Sequence, residues 1–171
     1  MQKNKTLPLF IRGVMIMLIF GTLSCSDTRQ PPVAPKAAEG KARDFVLKDL
    51  NGSKFMLSEQ RGKPVLIIFS TTWCPTCRSE IPRYKFFHNA YASRGLIVVN
   101  IDIQEPPDKV SRFADKYQLP YRVLLDETGL VAEAYQIVGV PTMILIDQNG
   151  ALISRQYPAI EGLLKALFKD S

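Results

Sequence analysis

The strongest constraint on what this chain can fold into is an apolar run, Val65-Leu66-Ile67-Ile68-Phe69, followed closely by Trp73-Cys74-Pro75-Thr76-Cys77. The run is continuous and bounded by Gly62 and Pro64, which predicts a central strand buried on both faces. Pro75 or Thr76 then opens a helix, because a proline in the first turn loses no needed N–H. The helix is expected to reach about Arg94, with Gly95 as its C-terminal cap. Strand, turn and helix place Cys74 in front of the helix, where it can be exposed, and Cys77 one turn in and more buried. Free N–H groups and the positive end of the helix favour a thiolate there. The thiolate is the attacking species in thiol–disulfide exchange. The same spacing also serves a structural disulfide or a zinc site. Zinc wants four ligands, and there is no second such pair. The sole histidine, His88, falls about 16 Å from Cys77 along the helix axis and reads as a solvated helix residue. No metal is expected.

Around this unit the pattern alternates strands and helices. Phe45 to Leu47 and Lys54 to Leu57 read as strands joined across the Asn51-Gly52 turn signal. Leu96 to Ile101 is a second buried strand, Asp108 to Tyr117 a helix, Arg122 to Leu125 a short strand and Leu130 to Tyr135 a short helix. Thr142 to Ile146 and Ala151 to Arg155 flank the turn at Gln148-Asn149-Gly150 as antiparallel partners, and Ile160 to Phe168 closes as an amphipathic helix. Pro82 should kink the helix that begins at the cysteines. No internal repeat is present.

The formal net charge is +6 over 171 residues. Half of it belongs to Lys3, Lys5 and Arg12 in the first 24 residues, which hold no acid. The remainder is too mild and scattered for a nucleic-acid partner. Those three cations precede an apolar stretch, Val14 to Leu23, and then Ser24-Cys25. The stretch is short of the roughly 20 residues a spanning helix needs, so 1–24 reads as an export signal. Gly21-Thr22-Leu23-Ser24-Cys25 resembles a bacterial lipobox, which makes Cys25, the third cysteine, the expected lipidation site. The leucine lies one place nearer the cysteine than in the usual pattern, so a soluble exported protein and an uncleaved anchor stay open. Residues 25–41, with Pro31, Pro32 and Pro35, are expected to be a disordered tether. Residues 42–171 form the folded domain.

The order of elements is that of an α/β thioredoxin-like fold: a central mixed β-sheet flanked by helices, with an N-terminal β-hairpin extension. From Asp44 to Phe168 the chain resembles the TlpA/ResA-like extracytoplasmic branch of the thioredoxin superfamily. The matching stretches are Asp44-Phe45-x-Leu47-x-Asp49-x-Asn51-Gly52, Gly62-Lys63-Pro64-Val65, Trp73-Cys74-x-x-Cys77-x-x-Glu80-x-Pro82, Asp126-x-x-Gly129, Val138-Gly139-Val140-Pro141-Thr142 and Ile146-Asp147-x-x-Gly150.

The resemblance implies a thiol:disulfide oxidoreductase with Cys74 as nucleophile, Cys77 as resolving thiol and no cofactor. It implies that Glu80 is a buried acid exchanging protons with the cysteines. The cytosolic cousins use an aspartate in the strand, at the position held here by Ile68. The plain alternative is a first-turn glutamate stabilised by the helix dipole. Pro141 is implied to be cis and to face the cysteines, with Val140 and Thr142 offering backbone to a substrate peptide. Trp73 either contacts the partner or roofs the pair. Pro75 and Thr76 tune the couple, Thr76 by a hydroxyl near sulfur or by filling space. The implied partners are disulfide-containing exported proteins, apocytochrome c among them, and a membrane thiol relay of the DsbD or CcdA type. The membrane itself would be engaged through lipid on Cys25, and the outer one is favoured if the host has one. Two rival readings are a peroxiredoxin, echoed by Thr71 and Cys74-Pro75-Thr76, and a copper-binding chaperone, which would need wider cysteine spacing and a distal histidine.

Overall fold

The computed structural model describes residues 40–155 and 157–169. The expected export signal, Cys25 and the tether up to residue 39 lie outside the described residues. A seven-stranded mixed sheet runs in the order β2-β1-β5-β4-β3-β6-β7. The strands are β1 (Val46–Asp49), β2 (Lys54–Met56), β3 (Val65–Ser70), β4 (Ile97–Ile103), β5 (Arg122–Asp126), β6 (Thr142–Ile146) and β7 (Leu152–Ser154). Four helices accompany it: α1 (Pro75–Tyr91), α2 (Pro107–Tyr117), α3 (Leu130–Ala134) and α4 (Ile160–Leu167). Strands β3, β4 and β5 are parallel, while β6 runs antiparallel to β3. Among the described residues no helix is long and apolar enough to cross a membrane.

The continuous apolar run becomes β3, and all six of its residues are buried. It needs no alternation because both faces are covered. Val65, Ile67 and Phe69 pack with Phe45, Phe55, Tyr135 and α3. Leu66 and Ile68 pack with Tyr84 and Phe87 of α1 and with Ile160 and Leu164 of α4. Full burial of such side chains contributes about 1.5–3 kcal/mol each, so the site rests on the most deeply packed strand.

The expected hairpin forms. Asp49 accepts the N–H groups of Asn51 and Ser53 across the turn, and Gly52 takes the positive φ of 78° that the turn requires. Asp49 also pairs with Arg122 at 2.7 Å, which ties the hairpin to β5. Gly40 and Lys41, expected at the end of the tether, instead run beside Ala151, with the Ala42 N–H donating to the Gly150 carbonyl at 2.9 Å. Helix α1 continues through Pro82 and stops at Tyr91; a 3-10 turn then carries the chain to Gly95.

Helix α3 is too short to be stable alone. The buried carboxylate of Asp126 takes the N–H groups of Val131 and Ala132 at 3.3 and 2.8 Å. Asp126→Ala orphans both donors, and a loss of about 2–4 kcal/mol is expected. A lower urea midpoint at unchanged m-value would show it; an unmoved midpoint would mean that the helix is held by packing alone.

Candidate active site

The parallel strands β3 and β4 end at one edge of the sheet, and the chain after β3 turns there into α1. Register places Phe69 of β3 beside Thr142, the first residue of β6. The loop before β6 therefore meets the loop before α1. The Val140–Pro141 bond is cis, as the resemblance implied. The Cys74 Sγ sits 3.7 Å from the Val140 carbonyl oxygen, within reach of S–H donation. The Thr142 hydroxyl donates to the Gly139 carbonyl at 2.7 Å and braces the same loop.

Cys74 is the N-cap of α1, and its sulfur accepts the Cys77 N–H at 3.1 Å. A sulfur there receives an otherwise unpaired helix donor and faces the positive end of the dipole. Pro75 occupies the first turn, as expected. Both cysteines are free thiols. The expected exposure of Cys74 is corrected: it is 4% exposed against 2% for Cys77, because the Val140 carbonyl and the first turn of α1 close over it. The asymmetry between the two lies in their environments. Burial, reinforced by the neighbouring Cys74 sulfur, pushes the Cys77 thiol up to about 12. Cys77 therefore keeps its proton at neutral pH.

Trp73 stands out from this surface, 63% exposed, and Val138 is fully exposed opposite. Together with Ile103, Ile137 and Val140 they line an open groove of about 470 Å³ beside Cys74. The Trp73 side chain is therefore not packed into the interior over the pair. Pro75 and Thr76 are exposed as well, so Thr76 fills no internal space. Glu80 lies on α1 one turn past Cys77 and is half-buried, not buried as the resemblance implied. His88 is not solvated: it is half-buried, its ring is edge-on to Tyr121 at 6.2 Å, and its Nδ1 is buried without a partner.

Several residues that hold the site had not been singled out in the sequence. Glu105, in the segment after β4, is buried and accepts both the N–H and the hydroxyl of Thr72, the latter at 2.6 Å. Lys109 of α2 pairs with the same carboxylate at 2.5 Å. From the other helix, Arg78 donates to the carbonyls of Thr72 and Trp73 at 3.2 and 3.4 Å. The loop that delivers Cys74 is stapled from two sides. The signal for such residues was a polar beat inside an apolar strand: Asn100 and Asp102 interrupt the β4 run at every second place. Asn100 accepts from the Ser70 hydroxyl at 2.7 Å. Among the described residues no group of three His, Cys, Asp or Glu is placed to hold a metal ion.

Two free cysteines at a helix N-terminus, facing a cis-proline loop on a mixed sheet of this order, are the arrangement of a thioredoxin-like thiol–disulfide oxidoreductase. Comparison with known proteins agrees. The AhpC/TSA family matches residues 38–155. The thiol-disulfide oxidoreductase ResA of Geobacillus thermodenitrificans is 32% identical over 83% of this chain and 83% of its own length. ResA of Geobacillus kaustophilus is 36% identical over 67% of this chain and 66% of its own length. A solved thiol-disulfide oxidoreductase from Bacteroides fragilis superposes with a TM-score of 0.68 at 26% identity, covering 75% of this chain and 99% of that one. The chain belongs to the AhpC/TSA family of thioredoxin-fold proteins and, within it, to the ResA-type thiol-disulfide oxidoreductases.

Proposed function

We propose that this oxidoreductase runs as a reductase of disulfides in other exported proteins, held at a membrane by lipid on Cys25. The observation that carries the direction of attack is the unequal pair: the Cys77 N–H bonded to Cys74 Sγ, with the Cys77 thiol held protonated by burial. Cys74 as thiolate attacks one sulfur of the partner disulfide and forms a mixed disulfide, while the other partner sulfur leaves as thiolate and takes up a proton. Cys77 then gives up its proton and attacks Cys74 Sγ. The partner's second sulfur leaves, and a Cys74–Cys77 disulfide remains. Two electrons have passed from the pair to the partner. A membrane thiol relay of the DsbD or CcdA type would restore them.

Glu80 is the proposed acceptor of the Cys77 proton. It stands one turn along α1 from Cys77 and is half-buried. Val140, Pro141, Thr142 and Trp73 would hold the partner chain, and Pro75 and Thr76 would set the potential of the couple. The substrate class suggested by the resemblance is the disulfide of an apocytochrome c haem-binding segment.

The test uses the reduced full chain. It is expected to reduce a disulfide-bonded haem-motif peptide with one disulfide consumed per protein, and to leave hydrogen peroxide untouched over the same time. Fast peroxide consumption with the peptide intact would establish the peroxidase reading instead. Glu80→Gln is expected to slow the reduction several-fold and to change its pH profile. Rates that overlay the wild-type curve at every pH would leave Glu80 as a helix residue only.

A further inference from the structure

The proposed reaction makes no use of Asp102. This aspartate belongs to β4 and pairs in register with Ser70 of β3 on one side and Leu125 of β5 on the other. It is 3% exposed. One of its oxygens, Oδ1, is buried with no hydrogen-bond partner, and the hydroxyl of Thr71, the residue after β3, is orphaned in the same way. The groups that act on Asp102 are the carboxyl of Glu105, three residues further on, and the ammonium of Lys109. Two carboxyl groups in contact can be hydrogen-bonded only if one of them carries a proton.

The geometry points to Asp102 and Glu105 as a one-proton carboxyl pair that positions the Thr71–Trp73 loop, and with it Cys74, and that loosens its hold when the shared proton leaves. Asp102 is the positioning residue and acts through Glu105. The catalytic consequence rests on the role proposed above for Cys74; the pair itself does not.

The partition of the proton follows from the surroundings. Glu105 is pushed up by burial, but Lys109 and the two Thr72 donors outweigh that and hold its carboxyl below the usual range. Asp102 has no donor of its own. Burial, and after it the charge of Glu105, push it up to about 8. With the proton in place, Asp102 donates to Glu105, and Glu105 is free to accept from Thr72. Once the proton is lost, two buried carboxylates face one ammonium, and the repulsion falls on the Glu105–Thr72 contact. The charged groups that bear on Asp102 are Glu105 in the segment after β4 and Lys109 of α2. Ser70 and Leu125, its neighbours in the sheet, carry no charge. Arg78 of α1 grips the same loop, but through backbone carbonyls.

Trp73 is the single tryptophan of the chain and directly follows Thr72, so its emission reports the loop. The experiment uses the full chain carrying Cys74→Ser and Cys77→Ser, which removes thiol titration and redox chemistry from the neighbourhood of Trp73. Emission is expected to show one transition centred near pH 8, below the ordinary tyrosine range. Adding Asp102→Asn, which keeps an N–H donor for Glu105, should abolish the transition and fix emission at the low-pH level. Adding Lys109→Met, on an exposed side chain, should move the midpoint upward, because an attractive charge on the ionised pair is gone. A flat parent trace, a transition that survives Asp102→Asn, or a midpoint that Lys109→Met leaves in place or lowers would overturn the proposal. If the chain proved not to be a reductase, the fluorescence transition would still be expected, so the two readings fail separately.

Discussion

Replacing Cys77 by serine is expected to turn the protein into a trap for its partners. Cys74 keeps its place as N-cap of α1 and its position under the Val140 carbonyl, so attack on a partner disulfide still occurs. The resolving thiol is missing, and mixed disulfides through Cys74 accumulate. Cys74→Ser should instead abolish the first step, take disulfide reduction to the uncatalysed rate and trap nothing. Cys77 cannot substitute, because burial holds its proton on at neutral pH and its sulfur lies a turn inside the helix. Non-reducing gels of each variant after exposure to a disulfide-bonded protein would read this directly. Adducts on the Cys74→Ser chain, and none on the Cys77→Ser chain, would reverse the assignment.

The second large effect is on stability and concerns Asp102. Its folded-state value, about 8, lies above the ordinary 3.8, so the folded chain holds a proton that the unfolded chain releases. Stability therefore falls as pH rises from the ordinary carboxyl value to about 8 and is level beyond it. Asp102→Asn removes that dependence. The variant is expected to match wild type near pH 4 and to exceed it by about 2–4 kcal/mol at neutral pH and above. Urea midpoints taken across pH would show the gain opening over that window. A difference between the two chains that stays constant with pH would mean that Asp102 is not carrying the proton. A residue that costs stability close to a reactive centre is a familiar trade for function, which is consistent with its role in holding the loop.

Read along the chain, the elements and their order were legible in advance because they depend on local signals. The apolar run at Val65 to Phe69, the glycines at turns and the helical period after Cys74 act over a few residues, and each element formed within a few residues of its expected place. The differences at the ends are small and physical. The strand β4 extends to Ile103 because pairing with both β3 and β5 holds residues that polarity alone would have released. Gly40 and Lys41 join the sheet because Ala151 offers an unpaired edge.

The chemistry divides along a different line. The sequence by itself determined the cysteine pair and its position at a helix start, since the Cys-x-x-Cys spacing carries those in contiguous residues, and the family resemblance implied the cis proline that faces it. Only the tertiary structure decided how those parts are held and how far each is from water. The burial of Cys74 comes from a loop 66 residues away. Glu80 is half-buried because of where α1 sits on the sheet, which no helical spacing reveals. The contact of Glu105 with Thr72 spans 33 residues, and the burial of Asp102 comes from its place between β3 and β5 in the sheet. Desolvation and charge coupling are properties of what surrounds an atom in space. The surroundings of a buried carboxyl are assembled from strands and helices that the chain visits far apart.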